Sequence, residues 1–190
     1  MTEKKIILKF YMPFIFLASI FMGPILNFIM FFDRKILNTY WSFFITQAKF
    51  TDLMALTFIL FTVIFFFSNY FSEKIACKPA IIISNIFIGY NCIYAGFSWT
   101  WELYFLTFVL IGATLGFLIP MIFKLIRNSI NMERRNIYHK LVFPISILVW
   151  ILIEIIVFTL LGRYSWKMLY IVIGIIAIAI SPLTLIVKTS

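Results

Sequence analysis

Charge is scarce in this chain of 190 residues. Only 12% are Asp, Glu, Lys or Arg, about half the share of an ordinary soluble domain. A water-soluble fold needs that charge to cover its surface, so that class is excluded. Disorder is excluded by the opposite excess, since 64% of residues are apolar. Histidine is limited to His139. A zinc-protease helix needs two histidines around a glutamate, so H-E-x-x-H chemistry is absent. His139 lies in a basic loop at or outside a span border, which excludes a Ser–His dyad within the membrane. Asp33 and Asp52 both sit at span borders, so no intramembrane aspartate pair forms. With only seven glycines, no Gly-rich phosphate loop occurs. Cys77 and Cys92 lie about 22 Å apart along a helix, beyond disulfide reach, and neither has a metal-ligating neighbour. These absences argue against an enzyme, a cofactor and a metal centre. Gly/Ser-rich and Pro-rich linkers are missing too, so residues 1–190 read as one membrane domain.

Long apolar runs fill the chain, and mean hydropathy is +1.08. A bilayer core of about 30 Å needs about 20 helical residues. Six runs meet that need: Phe10–Phe32, Asp52–Phe71, Pro79–Phe97, Tyr104–Phe123, Leu141–Leu161 and Met168–Val187. The runs are too long and too uniformly apolar for barrel strands. The expected fold is therefore all-α, a polytopic bundle of six transmembrane helices. The first run is long and lacks an A-x-A-like site, so it reads as an uncleaved span. The gap Asp33–Thr51 is itself apolar, with Ile36, Tyr40 and Phe44 at i+4 spacing. It reads as a surface-lying amphipathic helix or an extension of the first span.

The net charge of +9 comes from bases in the short gaps between spans. That pattern is topological and does not call for nucleic acid. One side holds Lys4, Lys5, Lys9, Lys74, Lys78, Lys124, Arg127, Arg134, Arg135, Lys140 and Lys188. The other holds Arg34, Lys35, Lys49, Arg163 and Lys167. Eleven against five of the sixteen bases predicts that both termini are cytoplasmic, in a multi-pass protein of the cell membrane. Tyr40, Trp41, Trp99, Trp101, Tyr164 and Trp166 gather at the expected outer borders, the depth that amphipathic rings prefer.

Polar groups inside the spans are few. Glu154 lies a few residues from the middle of its run. An ionised carboxylate there costs about 2.5–3.5 kcal/mol on insertion scales. It reads either as a proton-coupling site or as a neutral Glu hydrogen-bonded to a neighbouring Ser or Thr. Asn27 in the first run and Ser84, Asn85 and Asn91 in the third are candidates for a solute pathway or for bridges between helices. Gly112 and Gly116 form a G-x-x-x-G face followed by Pro120, expected to bring helices into close packing or to act as a hinge.

Three stretches then carry a resemblance. The first is Asn69-Tyr-Phe-Ser-Glu73-Lys74-Ile-Ala76-Cys77-Lys78, with an acid–base pair followed by a later base. The second is Gly112-Ala-Thr-Leu-Gly116, Pro120 and a loop with Glu133-Arg134-Arg135. The third is Gly162-Arg163-Tyr-Ser-Trp166-Lys167, followed by Gly174 and Pro182. In this order and spacing the chain, from Tyr11 to Lys188, resembles the N-terminal six-helix half of a major facilitator superfamily transporter. It departs from that family at Asn69 and Ala76, where the family has glycines, and between Phe105 and Val109, where the family has an arginine. The resemblance implies transport of a small solute by alternating access. It also implies a cytoplasmic gate at Asn69, Glu73, Lys74 and Lys78, and a cavity lined by Glu154, Asn27, Asn85 and Asn91. Family members have two such halves, so this one implies a homodimer or a separate second half. Two other readings stay open. One is a six-helix substrate-capture subunit like those of energy-coupling-factor vitamin importers, whose alanine-rich docking faces are matched here only by Ala18 and Ala95. The other is a transport-inactive membrane fragment.

Overall fold

The structure, a computed structural model, describes residues 45–129, 140, 144, 148 and 166–186. Among the described residues every regular element is helical. Four α-helices form: α1 (Gln47–Phe71), α2 (Cys77–Phe97), α3 (Trp101–Ser129) and α4 (Trp166–Ile180). The expected spans Phe10–Phe32 and Leu141–Leu161 fall almost wholly outside the described residues.

Each helix end has a local cause. α1 starts where Thr46 Oγ1 accepts the Lys49 amide at 3.3 Å, a standard N-cap. The helix thus begins five residues before the expected Asp52, and the tail of the apolar gap becomes its first turn. α2 stops at Ser98, whose backbone is extended and whose Oγ donates to the Tyr94 carbonyl at 2.9 Å. Two residues on, Thr100 Oγ1 accepts the Leu103 amide at 3.4 Å at the start of α3. α3 runs past the expected Phe123 to Ser129. It passes straight through the buried Pro120, whose ring nitrogen cannot donate to the Gly116 carbonyl. α4 gives way at Ser181 to a 3₁₀ segment, Ser181–Ile186. The break falls beside Pro182, which again lacks an amide donor.

Length and composition then meet the bilayer criterion. Three helical stretches, Gln47–Lys74, Cys77–Phe97 and Trp101–Leu125, are long and apolar enough to cross a membrane. That points to a membrane location. The fourth apolar stretch, Tyr170–Leu185, is shorter. Together α4 and its 3₁₀ continuation still reach about 34 Å.

α3 packs between α1 and α2, and α2 packs between α3 and α4. Ile81, Ile88 and Cys92 of α2 meet Ile111, Leu115, Leu118, Met121, Ile122 and Leu125 of α3 in one core cluster. A second cluster joins Leu53, Ala95, Trp101, Tyr104, Phe108 and Tyr170. Directions follow from the contacts. Gly112 meets Thr57, Gly116 meets Phe61, and Lys124 meets Ser72, so α1 and α3 run parallel. Gly96 meets Lys167, and Gly89 meets Gly174, so α2 and α4 run antiparallel. Only 11% of the most apolar stretch of α1 is buried, against 56% in α2 and 61% in α3. Phe58, Ile59, Phe66 and Phe67 of α1 lie exposed. Such a contiguous apolar face suits lipid tails and would be a liability in water.

Candidate functional site

The polar chemistry of the described residues concentrates at one end of the bundle, where α1 turns into α2. The last carbonyls of any helix lack intrahelical donors, and α1 has no base of its own in its last turn. The chain turns there through a 3₁₀ segment, Ser72–Lys74. Ser72 Oγ donates back to the Asn69 carbonyl at 2.8 Å. The carbonyls of the turn itself are met by another helix. Lys124 of α3 donates from Nζ to the carbonyl oxygens of Ser72, of Glu73 at 3.1 Å and of Ile75 at 2.7 Å. An ammonium group has three donors and no acceptor, so this one group meets three backbone acceptors at once.

One turn further along α3, Arg127 Nη2 pairs with Glu73 Oε1. The side chains of Arg127 and Glu73 are 45% and 65% exposed, so solvent screens the pair and its worth is small. The Arg127 guanidinium, hydrogen-bonded to Glu73, holds that carboxyl below the usual carboxylate range. Its charge acts in the same direction, opposed by burial and assisted least by Lys124. Glu73 lies in the turn beyond the last residue of α1, two residues past the expected end of the apolar run at Phe71.

The predicted gate residues therefore take distinct positions. Glu73 joins Arg127 and Lys124. Asn69 supplies a carbonyl to the turn. Lys74 is exposed and Lys78 half-buried, and among the described residues neither is ion-paired to Glu73. Of the pathway candidates, Asn85 and Asn91 are buried on α2. They are six residues apart, hence about 120° around the helix, and do not share a face. Asn91 Nδ2 donates to the Phe87 carbonyl of its own helix at 2.8 Å. Asn27 and Glu154 lie outside the described residues.

The glycine candidates face a neighbouring helix. A Cβ on Gly112 would collide with Thr57 Cγ2, and one on Gly116 with the Phe61 carbonyl oxygen. Only bare backbone lets α1 and α3 approach so closely. Pro120 and Lys124 follow at the same four-residue interval, so the stripe that packs α3 on α1 ends in the lysine that caps α1. Lys124 and Arg127 fall in the expected basic loop after Phe123 and lie outside the expected gate of Asn69, Glu73, Lys74 and Lys78. The interval 112, 116, 120, 124 was the available sign.

Compared with known proteins, the chain matches no family model and no curated sequence.

Proposed function

We propose that this protein is a six-helix, half-size transporter of the kind found in the major facilitator superfamily, moving a small solute across the cell membrane by alternating access. The observation that carries the reading is the clamp of Lys124 and Arg127 on the α1–α2 turn. It ties two parallel helices by polar contacts at a water-facing end, where such contacts exchange readily with water. Beneath it, the glycine stripe keeps α1 and α3 close without interlocking side chains. A joint of that kind holds one state of a gate and releases it at modest cost.

Support for a further crossing comes from direction. α2 and α3 form a hairpin through Ser98–Thr100, so α3 runs antiparallel to α2. α4 does the same. The chain therefore leaves α3 at one end of the bundle and enters α4 at the other. Lys74, Lys78, Lys124 and Arg127 share the end assigned to the cytoplasm, and Lys49 and Lys167 the opposite one. In this reading Glu154 and Asn27 face the solute path. A second copy, a separate chain or further sequence supplies the other half.

Two measurements test the proposal. The first is sidedness, in a Cys77→Ser, Cys92→Ser background labelled with an impermeant maleimide. Glu102→Cys and Lys167→Cys label from one side of the membrane and Lys74→Cys from the other. Labelling of Lys74→Cys and Lys167→Cys from the same side removes the extra crossing. The second is counterflow of amino acids, sugars and organic cations in proteoliposomes. The full chain accelerates at least one solute, and Glu154→Gln abolishes any proton-driven part. No flux in proteoliposomes overturns transport by this chain alone, and no flux in membranes of its own cells, where a separate half would be present, overturns the transporter reading. Tight binding without flux assigns the chain to the capture-subunit class.

A further inference from the structure

Beside the clamp lies an open groove of about 330 Å³, lined by Ile75 and Ala76 of the turn, Pro79, Ala80 and Ile83 of α2, and Phe117 of α3. Every lining side chain is hydrocarbon. Ile83 is 66% exposed, so the groove opens sideways on the surface of the described helices. Its depth can be read from helical rise. Phe117 is seven residues before Lys124 on α3, about 10 Å further into the span, and Ile83 is five residues beyond Lys78, about 7 Å further in. The groove therefore runs from the level of the charged turn into the hydrocarbon.

Two cations adjoin the lining residues in sequence, at the level of the charged turn. Lys74 immediately precedes Ile75, and Lys78 immediately precedes Pro79. Glu73, the nearest carboxylate in sequence, is engaged by Arg127 and does not neutralise them. Lys124 is spent on three carbonyls. A small polar solute finds no partner in such a groove, and water is poorly held in it. The shape and charge require an apolar limb that lies along the helices and an anionic head at the border. Basic sites of this kind at the border of a helical bundle suit anionic headgroups.

We infer that the groove holds an acyl chain of an anionic phospholipid whose phosphate is bound between Lys74 and Lys78. The site needs only a membrane location and stands whether or not the protein transports. The lipid bridges the α1–α2 turn and α3, the same two parts that the clamp joins.

Native mass spectrometry of the full chain, exchanged into equal phosphatidylglycerol and phosphatidylcholine, tests this. Phosphatidylglycerol is retained preferentially. Each lysine contributes about fivefold, so Lys74→Gln with Lys78→Gln reduces the preference by about 25-fold. Lys74→Arg with Lys78→Arg keeps it. Ala76→Trp, which fills the groove, lowers retention of both lipids. Lys167→Gln, at the far end of the bundle, leaves the preference unchanged. The single lysine variants read half the effect if the double variant aggregates. Equal retention of the two lipids by the wild type overturns the inference, as does an unchanged preference in the lysine variants. Displacement by millimolar inorganic phosphate, or by a free fatty acid at equal concentration, also overturns it, because either would mean a site for only part of the phospholipid.

Discussion

Gly89 and Gly174 sit against each other where α2 crosses α4. A Cβ built on Gly89 would stand 2.6 Å from the Gly174 carbonyl oxygen, and one on Gly174 would stand 2.5 Å from the Gly89 carbonyl oxygen. Real side chains do not approach backbone so closely, so the two helices meet at this distance only because both positions lack a side chain.

Gly89→Val or Gly174→Val will therefore force α2 and α4 apart. Overpacking of this kind costs about 1–3 kcal/mol. Thermal unfolding in detergent reads the loss as a lower midpoint. Ile86→Val, at an exposed position on the same helix, should leave the midpoint nearly unchanged. Equal midpoints for the glycine variants and the wild type would show that the crossing is looser than described.

Lys124→Met keeps much of the side-chain length and removes the ammonium. The carbonyls of Ser72, Glu73 and Ile75 then lose their shared donor. Hydrogen bonds to a charged group contribute about 1.5–3 kcal/mol where they are shielded from water, and this partly exposed site should fall at or below the lower figure. Hydrogen exchange across Asn69–Ala76 will accelerate, while the middle of α2 keeps its protection. Lys124→Arg should restore part of the protection. Unchanged exchange in Lys124→Met would refute the capping role.

The clamp also carries a pH dependence of fixed sign. Arg127 lowers the Glu73 carboxyl below its ordinary value of 4.5. The folded state thus holds that proton less tightly than the unfolded chain. The contribution of the pair is present in full above the ordinary value and is lost as pH falls below it, through the lowered one. Melting midpoints measured from pH 7 down to pH 3 should fall slightly more for the wild type than for Glu73→Gln. A steeper fall in Glu73→Gln would reverse the sign and contradict the pairing.

The parts of this fold that were legible in the sequence are those written in apolar length. α2 begins within two residues of its expected start and ends at the expected Phe97, because lysine and the turn residues bracket it. α1 ends at the expected Phe71 but starts before the expected Asp52, and α3 extends beyond the expected Tyr104–Phe123 on both sides. Hydropathy marks where hydrocarbon stops, whereas a helix continues as long as its backbone bonds do, back to the Thr46 cap and on past Phe123. Glu73 was legible as half of a charged motif. Sequence proximity points to Lys74 as its partner, whereas the four-residue stripe delivers Lys124, with Arg127 one turn beyond it. Gly89 and Gly174 were not legible as a pair, because isolated glycines on different helices carry no spacing to read. Asn85 and Asn91 were visible as polar residues in a span, and their six-residue spacing already set them about 120° apart on a helix; that Asn91 bonds the Phe87 carbonyl of its own helix emerges only from the structure.

The donor that completes the end of α1 belongs to a residue made about fifty positions later in the chain. Before α3 is made, the turn has only its own contacts, from Ser72 to Asn69 and from Ile75 to Ser72, and the carbonyls of Glu73 and Ile75 are left to water. The joint between the first two of these rods is therefore completed by a third that is made after both.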